Sequence, residues 1–176
     1  LARLYPIFSE SPWWQVGVTG VGLVTMLVGA FMALNSSDLK RILAYSTVSS
    51  LGTMTMLLGI GSDGAAKAAL VFLLAHALYK GALFMIAGAV DHETGTRDVD
   101  QLGGLRSRMP ILAGFAGLAA LSLAGLGPLL SFIGKELLFE AALAAQGAGW
   151  VLVLAAVLSS AVSVALAFIL VLRPFF

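Results

Sequence analysis

Lys80 and His76 stand inside residues 65–90, a run otherwise apolar enough to cross a membrane. Four residues apart on a helix, they share one face. An amine and an imidazole both pass protons, and removal from water makes the charged form of either costly, as a relay requires. A cation near the bilayer centre costs roughly 2.5–3.5 kcal/mol on insertion scales. Lys80 lies about ten residues, or about 15 Å, from the segment end, which makes snorkelling to the interface hard. The pair therefore reads as part of an ion or proton path, with a buried structural hydrogen-bond pair as the plain alternative.

A second group of charges is Lys135, Glu136 and Glu140. It follows Gly125-Leu126-Gly127-Pro128, where Gly125, Gly127 and Pro128 interrupt any helical hydrogen-bond ladder. Unwound backbone can hold water or ions and the charges can move protons; an ordinary solvated helix end is the other reading. Lys40 and Arg41 open a segment whose Tyr45, Ser46, Ser49, Ser50 and Thr53 make a hydroxyl-rich face. Such a face could carry waters from Lys40 towards the His76–Lys80 helix, or it could serve as interhelical glue. Lys67 and Asp63 read as solvated loop charges. His92, between Asp91 and Glu93, has too few neighbouring ligands for a metal site.

The elements that must position these residues are membrane helices. Of the 176 residues, 60% are hydrophobic and 11% charged, against roughly 25% charged in a soluble domain. The mean hydropathy is +1.00. The absence of cysteine excludes disulfides and thiolate metal sites, and two histidines argue against a bis-histidine haem. No cofactor is called for, and nothing points to nucleic acid. The fold class is all-α, a polytopic helical bundle in one membrane domain, with segments at 13–34, 39–61, 65–90, 110–126/130–145 and 150–172. Trp13, Trp14 and Trp150 suit the interface, and Asp38 suits an N-cap. The fourth segment is expected to be discontinuous. Its 37 residues from Pro110 to Gln146 would make about 55 Å of straight helix, against a bilayer core of about 30 Å.

Loop charge sets an expected orientation. Lys40, Arg41, Arg97, Arg106, Arg108 and Arg173 fall on one side, against Arg3 and Lys67 on the other. That bias predicts an outside N-terminus and a cytoplasmic loop at 91–108. With no initiator Met, the chain reads as a piece of something longer.

Two stretches carry a family resemblance. Asp38-Leu39-Lys40-Arg41-Ile42-Leu43-Ala44-Tyr45-Ser46-Thr47 and His76-Ala77-Leu78-Tyr79-Lys80-Gly81-Ala82-Leu83-Phe84 resemble the proton-translocating antiporter-like subunits. That superfamily joins the large membrane subunits of respiratory complex I with the Mrp-type cation/proton antiporters. Val90 to Asp98 and Gly103-Gly104-Leu105 look like the Mrp antiporter A subunit. The resemblance implies that this chain is approximately the second of two inverted five-helix repeats, with a discontinuous fourth helix. It also implies roles by position: Lys80 as the central lysine of a proton path, His76 as its neighbour, Lys40 as a path residue and Lys135 as the lysine of the broken helix. Two positions depart from the family pattern. Phe72 stands where complex I relatives often have a second histidine, and Gly127-Pro128 stands where paired prolines are common.

The expected function is a proton-translocating subunit of a Na⁺/H⁺ antiporter in the plasma membrane, acting with other subunits of a hetero-oligomeric complex. It would be a secondary transporter subunit rather than an enzyme. The alternative is a proton-pumping subunit of a redox-driven NADH:quinone oxidoreductase-like complex.

Overall fold

The computed structural model describes residues 1–145 and 149–176. Gln146, the end of the long fourth stretch expected from sequence, lies outside the described residues. Helices come in the order α1 (Tyr5–Phe8), α2 (Pro12–Leu34), α3 (Leu39–Ile60), α4 (Asp63–Thr94), α5 (Leu105–Arg108), α6 (Pro110–Ala124), α7 (Leu130–Ala144) and α8 (Gly149–Phe175). Four of them, α2, α3, α4 and α8, are long and apolar enough to cross a membrane, and α6 is a shorter apolar helix. The chain is thus a polytopic all-α membrane bundle.

Local signals set the helix ends. Pro12 and Pro110 occupy first-turn positions of α2 and α6, where a missing N–H costs nothing. The Asp38 carboxylate accepts from the Arg41 N–H at 2.8 Å and starts α3. Ser62 does the same for α4 through the Ala65 N–H. That cap draws Asp63 and Lys67 into the first turns of α4 instead of leaving them in a loop. At the other end no breaker occurs before Gly95, so α4 runs on through Asp91–Thr94. The 91–108 segment is therefore helical at both of its ends, with a non-helical stretch between.

Helices α2 and α3 pack tightly antiparallel. A Cβ on Gly29 would collide with the Ser49 backbone, so only glycine permits this approach. In lipid the hydrophobic effect does not drive helices together, and close packing of small residues replaces it. Two apolar clusters result. One joins Leu39, Ile42 and Leu43 to Leu83, Val90, Leu170 and Phe175. The other joins Met56 and Leu57 to Met26, Leu138 and Leu152. The α3 hydroxyls between them, those of Ser46, Ser49, Ser50 and Thr53, form a buried polar layer.

One end of the bundle gathers the basic residues. Leu39 N–H donates to Arg97 O and Val99 N–H to Ser37 O, both at 2.9 Å. These two bonds pin the 96–99 segment to the start of α3 and bury Val99. Arg173 pairs with Asp100, and the Arg106 guanidinium lies over the Phe176 ring at 5.0 Å.

Candidate functional site

Lys80 is 4% exposed, placed by α4 against the polar layer of α3. Its ammonium donates to Leu43 O at 3.1 Å and to Ser46 Oγ. Ser46 Oγ in turn donates to Ile42 O at 2.8 Å, so its lone pairs are what the ammonium meets. No carboxylate is involved. His76, one turn earlier and 7% exposed, pairs with Tyr79 rather than with Lys80: His76 Nδ1 lies 3.1 Å from Tyr79 Oη, with the rings edge-on.

Beyond Ser46 a cavity of about 40 Å³ opens in the bundle interior. Room for one water takes about 10–15 Å³ on this measure, so the space suits a short file of waters. Helix α3 lines it with Ser46, Ser49, Ser50 and Thr53, and α8 with Ser159, Ser160 and Ser163. Tyr79, Phe72 and Lys135 complete the polar and aromatic lining. The hydroxyl protons are largely committed to backbone: Ser49 Oγ to Met26 O at 2.8 Å, Thr53 Oγ1 to Ser49 O at 3.1 Å, and Ser163 Oγ to Ser160 O at 2.8 Å. The wall therefore presents oxygen lone pairs.

Lys135 reaches this cavity from the broken helix. Gly125 ends α6 at φ +80°, a conformation that costs any residue with a Cβ. Its N–H bonds to Leu121 O and Ser122 O, and the turn leaves Ala124 O facing the second half-helix. The Lys135 ammonium donates to Ala124 O at 2.8 Å and to Ser163 Oγ at 2.6 Å. Ser122 and Ser131 bridge the two halves at 3.1 Å. Gly127 and Pro128, joined by a cis peptide, lie exposed in the connection.

Several residues singled out from sequence stand elsewhere. Glu136 and Glu140 are exposed and do not meet Lys135, because at about 100° per residue they project from other faces of α7. Tyr45 is half-buried against the apolar cluster and does not line the cavity. Lys40 lies at the basic end, where its ammonium pairs with Asp91 Oδ2 at 2.7 Å. Asp91 also takes Arg97 Nε at 3.1 Å. Sequence reasoning passed over Tyr79, Asp91 and the serines of α8. Ser159, Ser160 and Ser163 were detectable as three hydroxyls clustered in an otherwise apolar span. Among the described residues, no group of three His, Cys, Asp or Glu comes together as a metal site.

The chain has clear relatives among known proteins. Residues 1–163 match the family model described as NADH:quinone oxidoreductase/Mrp antiporter, TM. The chain is 45% identical over 159 residues to the A subunit of a Na(+)/H(+) antiporter of Alkalihalophilus pseudofirmus, covering 82% of this chain and 20% of that protein. It is 46% identical over 145 residues to the A/B subunit of a probable K(+)/H(+) antiporter of Rhizobium meliloti, covering 81% of this chain and 14% of that one. The chain thus spans a fifth or less of the length of these relatives. Among solved structures, the Mrp complex from Dietzia sp. DQ12-45-1b superimposes with a TM-score of 0.91 at 40% identity, covering 97% of this chain and 19% of that one. Respiratory complex I from Thermus thermophilus superimposes with a TM-score of 0.84 at 31% identity, covering 92% and 34%.

Proposed function

The chain belongs to the NADH:quinone oxidoreductase/Mrp antiporter membrane family, and from that premise we propose that it carries protons through the membrane part of a monovalent cation/proton antiporter. The observation behind this reading is the buried line from Lys80 through Ser46 into the hydroxyl cavity and on to Lys135. Two amines of this kind hold and release protons, and hydroxyls with waters between them carry the proton from one to the other. His76 and Tyr79 form a side branch that joins the cavity at Tyr79.

Lys40 takes a different part. Bound to Asp91, it guards the basic end of the bundle, where a proton would enter or leave. The loop-charge bias supports placing that end in the cytoplasm. Both named antiporter relatives are subunits by their names, so the working unit is taken to be a hetero-oligomeric complex in the plasma membrane, exchanging Na⁺ for H⁺.

The test is Lys80→Ala in the full-length protein within its complex, with cation-driven proton movement followed in everted vesicles. Loss of exchange is the expected result; exchange at the wild-type rate would sink the reading. The likeness to complex I supports a second reading, a proton-pumping subunit of a redox-driven complex. Vesicles that acidify on NADH oxidation, with no response to added Na⁺ or K⁺, would favour it.

A further inference from the structure

At the end of the bundle opposite the basic residues lies a second, wider pocket of about 570 Å³. Gln15 and Thr19 of α2, with Gly61 and Ser62 between α3 and α4, give it a polar wall. Leu23, Ile60 and Leu152 also line it, and these belong to or pack against the apolar cluster built around Met26 and Met56. Leu138 of the same cluster lines the hydroxyl cavity. One apolar layer therefore has the cavity on one side and the pocket on the other.

Four helices cross this layer and read the same way. On α2, Ala30 lines the cavity and Leu23 the pocket; on α3 the two positions are Thr53 and Ile60, and on α8 Ser159 and Leu152. Each pair stands two helical turns apart, about 10 Å. On α7, Leu138 and Ala144 stand nearly as far apart. Met26, Met56, Ala142 and Ala156 fill the layer and are fully buried. Among the described residues, no polar side chain belongs to the cluster. A file of waters from the cavity to the pocket would have to cross thioether, isobutyl and methyl surface, and apolar space of this kind stays dry.

We propose that this pocket is a mouth of the proton path and that Met26, Met56, Leu138 and Leu152 form its gate, closed in this structure. Apolar constrictions gate by shedding and admitting water. The moving parts are the two methionines, unbranched side chains with three rotatable bonds. Their backbones are fixed, because a Cβ on Gly22 would collide with the Met56 backbone and one on Gly52 with the Met26 backbone. Rotation of the thioethers joins the pocket to the cavity, and their return keeps protons from leaking between turnovers. This deepens the proton-transport reading, on which it rests, by giving the path an opening at the end away from Lys40.

The experiment uses the full-length complex. In nanodiscs, Gln15→Cys should react with a small water-soluble methanethiosulfonate and Ser159→Cys should not, as read on the labelled peptide by mass spectrometry. Combined with Ser159→Cys, Met56→Gln keeps the side-chain length and brings in an amide that holds water. Labelling should then speed up at least about tenfold, the change that about 1.4 kcal/mol of barrier produces. The milder pair Ala142→Ser and Ala156→Ser adds two hydroxyls at little volume and should act the same way if Met56→Gln does not assemble. In everted vesicles without Na⁺ or K⁺, either polar variant should dissipate an imposed pH gradient at least about tenfold faster than the wild type. Met56→Leu, apolar and of similar volume, should hold it. An unreactive Gln15→Cys, a Ser159→Cys that labels no faster behind a polar gate, or a gradient held by the polar variants would each overturn the proposal. If Lys80→Ala exchanges normally while the polar variants leak, the relay falls and the gate stands. If Lys80→Ala abolishes exchange while the polar variants stay tight, the relay stands and this mouth falls.

Discussion

Removing a hydroxyl from this interior should do more damage than removing a charge. In Lys80→Met the ammonium goes and a side chain of similar length and volume takes its place. No orphan is left, since Ser46 Oγ still donates to Ile42 O and Leu43 O. The lost hydrogen bonds to a charged donor are worth about 1.5–3 kcal/mol each. Against that stands relief from holding a charge in the bilayer interior, roughly 2.5–3.5 kcal/mol. The two bonds together come to about 3–6 kcal/mol, so the sides cancel towards the lower end of that range, as they do when buried ionic groups are replaced by apolar residues of similar volume. In Ser46→Ala the charge remains but one of its two protein acceptors is gone. Nothing offsets that loss, so a destabilisation of about 1.5–3 kcal/mol is expected. The double variant should recover nearly all of it, a coupling of about the same size. Thermal unfolding of the purified full-length protein, run beside exchange in everted vesicles, measures both sides. Lys80→Met should assemble and unfold like the wild type yet carry no protons. If Ser46→Ala were as stable as the wild type, or if the double variant were additive, the view that Ser46 holds a buried charge would be refuted. If Lys80→Met failed to assemble, the lysine would be structural.

Other substitutions probe other joints of the bundle. Gly125→Ala puts a Cβ at φ +80° and into the Lys135 stem, so it should cost at least about 1–2 kcal/mol and reduce exchange; wild-type behaviour in both would remove the break from the argument. Asp91→Asn takes the carboxylate from Lys40 and Arg97, and should change the salt dependence of exchange while leaving thermal stability nearly unaltered; an exchange rate with the wild-type salt response would clear that cluster of any part in transport. The chain has no cysteine, so Glu93→Cys offers a single label within it. A membrane-impermeant maleimide should reach that cysteine in everted vesicles and not in intact cells, and the reverse pattern would invert the proposed orientation.

Much of the bundle was readable because membrane helices announce themselves by hydropathy and their ends by caps. The break at Gly125 followed from arithmetic, since the stretch was too long for one crossing. Depth along α4 marked Lys80. What sequence could not supply was azimuth on α7. Lys135 and Glu136 are adjacent in the chain, yet a helix turns them about 100° apart, and only the packed bundle shows which faces the cavity. The same holds for Lys40: Asp91 lies 51 residues away along the chain, and α4 had to extend past Val90 before the pair could form. The serines of α8 were written plainly in the sequence, but three hydroxyls in an apolar helix are as often glue as lining. Their meaning came from standing opposite Ser49 and beside Lys135.

The three lysines that sequence placed in one path are of two physical kinds. Lys40 meets a carboxylate that also holds Arg97, and moving its proton would leave Asp91 to rebalance against the guanidinium. Among the described residues, Lys80 and Lys135 meet only hydroxyl and carbonyl oxygens. Neutral oxygens satisfy an ammonium's N–H groups without fixing its charge. A buried carboxylate would fix it, since breaking such a pair costs about 3–5 kcal/mol. A path for mobile charge therefore needs acceptors of the neutral kind in its interior and can tolerate ion pairs only at its ends. That is the distribution in this bundle: both exposed carboxylates of α7 point away from the cavity, and the paired lysine sits at the basic end. An acidic residue introduced at Ser159 or Ser160 would break the rule by trapping the Lys135 ammonium, and it should stop exchange without harming the fold.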